Sequence, residues 1–128
     1  MKYLCLICAE KVMEQMTDAD AEQHYQDYTV FTEAIRKSGH FIGCNRLLPP
    51  DAATTVRVRK GRVTTTDGPY VETKEQLGGY YLIEARDLEE AIQVASRIPG
   101  AWIGCVEVRP VAEDERTLRA IGAAAIRT

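Results

Sequence analysis

The sequence predicts a single α+β domain made of two strand-helix-strand units with a β-hairpin inserted between them. Three observations carry this. Two helix-period apolar stripes each follow a strand-like apolar run. Between the two units, a clean period-2 alternation turns back on itself at Lys60-Gly61. The length of 128 residues is the usual size of one domain. With 45% apolar and 27% charged residues, the chain can bury a core without disulfides or metals, and disorder is not expected.

Lys2 to Ala9 is nearly all apolar and fits a central strand covered on at least one face. Met1 to Ala9 superficially matches a secretion signal, but the run passes into the acidic segment Glu10 to Glu22. A signal needs roughly 7–15 apolar residues and a small-residue cleavage site. No apolar stretch approaches the ~20 residues of a membrane span. A cytoplasmic protein with no membrane partner is therefore expected, its four cysteines reduced.

Thr17, Asp18 and Asp20 are candidate caps for the first helix. Its stripe is Tyr25, Tyr28, Phe31 or Thr32, and Ile35, and Ser38-Gly39 stops it. Phe41 to Leu48 reads as a second strand, ended by Pro49-Pro50. In Thr54 to Arg59, Val56 and Val58 face one way and Arg57 and Arg59 the other. Arg62 to Thr66 returns as the second arm of the hairpin. Asp67-Gly68-Pro69-Tyr70 is a dense turn signal.

Gly78 to Ala85 is a strand built on Tyr80, Tyr81, Leu82 and Ile83. Asp87 and Glu90 form a capping-box-like pair before the second helix, whose expected buried stripe is Leu88, Ala91, Ile92, Ala95 and Ile98. Pro99-Gly100 ends it. Trp102 to Arg109 is the last strand, closed by Pro110. A domain over residues 1–111 leaves a tail, 112–128, in which Leu118, Ile121 and Ala125 hint at a short helix. The order is that of a ferredoxin-like βαββαβ domain with an inserted hairpin. Such a sheet carries both helices on one face. The bare face is one that a second copy would cover, so a homodimer is expected.

The segment from Asp67-Gly68-Pro69-Tyr70 through Val71-Glu72-Thr73-Lys74-Glu75 to Gly78-Gly79-Tyr80-Tyr81 resembles the signature of the DGPF branch of the YCII-related proteins. The resemblance continues through Asp87-Leu88-Glu89-Glu90-Ala91 to Val106-Glu107-Val108-Arg109-Pro110 and takes in Thr55-Val56-Arg57 upstream. Tyr70 stands where the name-giving Phe would be, which keeps the ring and adds a hydroxyl. The resemblance implies a dimeric α-β barrel of the bacterial cytoplasm, similar to small cleft enzymes of the muconolactone-isomerase type. A His–Asp pair is proposed as catalytic in some YCII-related members. No general reaction is established for the DGPF branch, some of whose members are encoded beside, or fused to, extracytoplasmic-function sigma factors.

The candidate chemistry sits at few positions. Asp67 is either a cleft group, with Gly68 permitting close backbone approach, or the acceptor of a rigid turn in which Pro69 fixes φ. Glu72, Lys74 and Glu75 are a solvated charge run or, by their match to the signature, ligand-binding residues beside Tyr70. Glu107 and Arg109 share a strand face with Ile103 and Cys105; they line a polar cavity or pair at a subunit boundary. Arg57 can complete an anion site with Arg109, a guanidinium offering two parallel donors to a carboxylate or phosphate. His24 is the acid/base candidate because imidazole titrates near neutrality; the plainer reading is a surface or capping residue. His40 reads as structural.

Other chemistry is disfavoured. Cys5 and Cys8 have CxxC spacing, but on a strand they point to opposite faces and cannot grip one zinc. No metal or cofactor is expected. The basic hairpin of Arg57, Arg59, Lys60 and Arg62 lacks interleaved aromatics, and the net charge of -3 disfavours nucleic acid. No phosphate loop, nucleotide fingerprint or Gly-x-Ser-x-Gly elbow is present. The expected function is binding of a small polar or anionic metabolite, with lyase- or isomerase-like proton transfer by Asp67, Glu107 or His24. The alternative is a regulatory module whose partner is a sigma factor.

Overall fold

A computed structural model describes residues 1–10, 16–71 and 74–122. The elements run β1 (Lys2–Ala9), α1 (Asp18–Lys37), β2 (Phe41–Arg46), β3 (Thr54–Arg59), β4 (Arg62–Asp67), β5 (Gln76–Glu84), α2 (Leu88–Ala95), β6 (Cys105–Pro110) and α3 (Glu115–Ile121). Strands β2-β5-β1-β6 form one sheet, antiparallel at every junction, and β3 and β4 form a separate ribbon. This is the ferredoxin-like order with a hairpin inserted between the two units.

The local signals act as expected. The Thr17 hydroxyl accepts the Asp20 N–H at 3.1 Å and caps α1. The Asp87 carboxylate accepts the Glu90 N–H at 2.9 Å, while Glu90 Oε1 accepts the N–H of Arg86 at 3.3 Å. Each cap is worth about 1 kcal/mol of helix stability. Lys60 and Gly61 have φ of 52° and 75°, the double positive φ of a two-residue hairpin turn.

Alternation in the strands sets the faces. Tyr3, Cys5 and Ile7 of β1, with Tyr81 and Ile83 of β5, point inward. They meet Phe31 and Ile35 from α1 and Ala91, Val94, Ala95 and Ile98 around α2. The opposite face carries Leu4, Leu6 and Leu82, half-buried, together with Cys8, Cys105, Glu107 and Arg109.

Three expectations need correction. The α2 stripe is Ala91, Val94, Ala95 and Ile98, at helical spacing on the sheet side, whereas Leu88 and Ile92 are 48% and 52% exposed. Strand β2 ends at Arg46 rather than Leu48, because Pro49 and Pro50 have no N–H to continue a ladder and lead into a 3-10 turn at Pro50–Ala52. Strand β6 starts at Cys105 rather than Trp102, because Pro99–Trp102 is a 3-10 turn, tied by the Ala101 N–H to the Ile98 carbonyl at 2.9 Å. In the tail, α3 is capped by Asp114, whose carboxylate accepts the Thr117 N–H at 3.0 Å; Ala125 lies outside the described residues.

Candidate functional site

Pairing of β2 with β5 brings Asn45 opposite Tyr80 and Arg46 opposite Gly79, beyond the N-terminal half of α1. A cavity of about 390 Å³ opens there, between α1 and the inner face of the sheet. Such a volume suits a small molecule. Ala21, His24, Tyr25 and Tyr28 form its helix side. Gly79 is required on the sheet side: a Cβ there would lie 2.9 Å from the Asn45 carbonyl oxygen.

His24 is the chemically distinct residue of this wall. Its ring stands edge-on to Tyr28, centroids 4.9 Å apart. Its Nε2 is buried and has no hydrogen-bond partner among the described residues. Burial pushes its pKa below the ordinary 6.5, partly opposed by the Asp27 carboxylate. The imidazole is therefore neutral at neutral pH, with a ring nitrogen available to a ligand.

The tyrosines are placed differently. Burial raises Tyr28 to about 12, although its oxygen accepts the Gly100 N–H at 3.0 Å. Tyr81 is also raised by burial, and its hydroxyl lies 2.7 Å from that of Thr32. Both stay protonated through the working pH range and act as fixed polar walls, not bases. At the rim, the Arg46 guanidinium lies 5.7 Å from the Tyr25 ring centroid and has no ion pair among the described residues. Asn45 Nδ2 donates to the Tyr80 hydroxyl at 2.8 Å.

The other sequence candidates lie elsewhere. Glu107 and Arg109 pair with each other at 2.5 Å on the opposite sheet face. Arg57 is on the separate ribbon, its guanidinium 5.5 Å from the Tyr70 ring centroid. Asp67 is exposed at the end of β4, opposite Thr54. Gly68, at φ 100°, is clamped by its N–H to the Ala53 carbonyl at 2.8 Å and by the Thr55 hydroxyl donating to its own carbonyl at 2.8 Å. Lys74 reaches Glu10 at 3.5 Å. Glu72 lies outside the described residues.

Pro69 lines a second cavity of about 590 Å³, whose wall of Leu47, Leu48, Pro49, Pro50, Gln76 and Leu77 is shared with the first. Arg46, Asn45 and the cavity role of Tyr28 were not foreseen. No local pattern marks them, since strand pairing across more than thirty residues brings them together. His40 bridges the Ser38 hydroxyl at 2.7 Å and Glu90 at 3.0 Å, tying the end of α1 to the start of α2. Among the described residues, no group of three or more His, Cys, Asp or Glu could hold a metal ion. No helix among them is long and apolar enough to cross a membrane.

A family model, the YCII-related domain, matches residues 1–115. An uncharacterized protein of Rhizobium meliloti (strain 1021) is 35% identical over 105 residues, covering 80% of this chain and 85% of the relative. The chain thus belongs to the YCII-related family.

Proposed function

We propose that the chain is a small-molecule cleft protein in which His24 moves a proton on a ligand held between α1 and the β2-β5 end of the sheet. The observation that carries this is the buried Nε2 of His24, without a hydrogen-bond partner among the described residues, in the wall of the 390 Å³ cavity. A neutral imidazole near its titration range is suited to general acid/base work. Arg46 supplies the anion end of the site, its forked donors matching a carboxylate. The apolar and tyrosine-rich walls favour a small ring with one anionic substituent. The reaction class is lyase- or isomerase-like proton transfer. In this reading Asp67 and Glu107 serve the loop and the sheet face.

A second copy packs on Leu4, Leu6 and Leu82 of the opposite sheet face, half-buried in a single chain, and leaves the Cys8–Cys105 end of that face open. A second reading, an interaction module for a protein such as a sigma factor, is favoured by one observation. Val56, Val58 and Val63, which share one face of the β3-β4 ribbon, are 60%, 55% and 68% exposed.

A thermal-shift screen against aromatic and alicyclic carboxylates, phenols and lactones tests the leading reading. A ligand at about 100 times its Kd stabilises the fold by roughly 2.7 kcal/mol. Saturable stabilisation lost in Arg46→Ala, with turnover lost in His24→Ala, is expected. A flat screen on folded protein, or hits indifferent to both changes, contradicts it.

A further inference from the structure

The open end of the sheet face opposite His24 holds a second chemical feature. Cys8 and Cys105 are directly opposite each other at the end of the β1-β6 ladder. Directly opposed antiparallel residues have Cα atoms about 4.5–5.5 Å apart, within the ~4.4–6.8 Å span of disulfides. Both sulfurs rise on the same face, beside Glu107. Cys105 is exposed; Cys8 is half-buried and forms part of the second cavity's wall. Cys5 and Cys44 belong to the inner face, so neither competes for this partner.

We propose that Cys8 and Cys105 are a reversible dithiol–disulfide site for hydroperoxide oxidants, with Cys105 the attacking and Cys8 the resolving sulfur. Cys105 loses its proton and its sulfur bonds to one peroxide oxygen. The O–O bond breaks, and the departing oxygen takes a proton and leaves as water. The resulting sulfenic acid is attacked by the Cys8 sulfur, which loses its own proton; the S–O bond breaks and a second water leaves. Two thiols and one hydrogen peroxide become one disulfide and two waters, the sulfurs losing two electrons and the peroxide gaining them.

The Glu75 carboxylate first, then burial and the neighbouring Cys8, push the Cys105 thiol up to about 11; Cys8 is raised by burial first, then by Glu107 and Glu75. The pair therefore stays protonated at neutral pH and oxidises slowly. Returning Cys105 to its ordinary 9.0 would raise its thiolate fraction about 100-fold, while the softer thiolate loses part of its nucleophilicity, a net gain of roughly tenfold.

The test treats the full chain with hydrogen peroxide at mildly alkaline pH, blocks remaining thiols with iodoacetamide, and maps the peptides by mass. The expected product joins the Cys8 and Cys105 peptides within one chain, with loss of two hydrogens, and is reversed by dithiothreitol. It persists in Cys44→Ser and vanishes in Cys105→Ser, whose exposed position tolerates the change; circular dichroism confirms the fold. Glu75→Gln, which removes the largest of several causes of the raised pKa, should accelerate the reaction by up to about tenfold. Recovery of Cys8 and Cys105 both alkylated, a bridge between two chains, or a bridge through Cys5 or Cys44 overturns the site. An unchanged or slower Glu75→Gln rate overturns the role given to Glu75.

Discussion

The imidazole of His24 stands edge-on against the phenol ring of Tyr28, their planes at 86°, and one turn of α1 thus presents both to the same cavity. The neighbouring ring and the wall around it keep the imidazole out of water, which is why its pKa falls. The sign follows from linkage. The unfolded chain binds a proton at His24 near pH 6.5, and the folded chain only at lower pH. Stability is therefore full above that pH and declines as pH falls through it. NMR titration should show a His24 midpoint below 6.5, and His24→Gln should flatten the stability profile over that interval.

Tyr28 has a second task. Its oxygen takes the N–H of Gly100, a buried residue for which a Cβ would lie 2.5 Å from Ile7 Cγ2. Tyr28→Phe leaves that N–H unsatisfied and should cost about 1–3 kcal/mol. Urea denaturation checks this through a lower midpoint at unchanged slope.

Gly79→Ala should cost roughly 1–3 kcal/mol, because the added methyl meets the backbone of β2 at Asn45 and forces the two strands apart. The same displacement moves Arg46, which pairs with Gly79. Thermal unfolding of the variant measures the cost.

Glu90 gives an acid limb of its own. Its hydrogen bond with His40, aided by the Arg86 N–H and side chain, holds its carboxyl below the ordinary 4.5. A depressed carboxylate stabilises the fold above its unfolded pKa, and that contribution is lost as pH falls through the folded one. Glu90→Gln should lower the melting temperature near neutral pH and narrow the gap to the parent protein in acid. Parallel melts across that range check the sign.

The fold was legible where residues act on their own neighbourhood. Thr17 and Asp87 cap helices wherever the chain goes, and the alternation of Val56 to Arg59 needs only a strand. The helix-period reading failed at Leu88 and Ile92, since apolar residues on two adjacent rows leave the choice of buried row to the sheet beneath. His24 was visible as a titratable side chain, but its burial depends on β2 and β5 closing over α1. Arg46 carried no local mark at all. Its role follows from a long-range register that no spacing within its own strand encodes. The arginines that were visible, Arg57 and Arg109, are engaged with Tyr70 and Glu107 instead.

The most direct measurement follows the imidazole nitrogens of His24 by ¹⁵N NMR while a stabilising carboxylate from the screen is added. The Nε2 resonance should shift saturably, with the same Kd as the thermal shift, because the ligand supplies the partner this nitrogen lacks among the described residues. A ligand that stabilises the protein while both His24 nitrogens stay unmoved would contradict it and place binding outside this cavity.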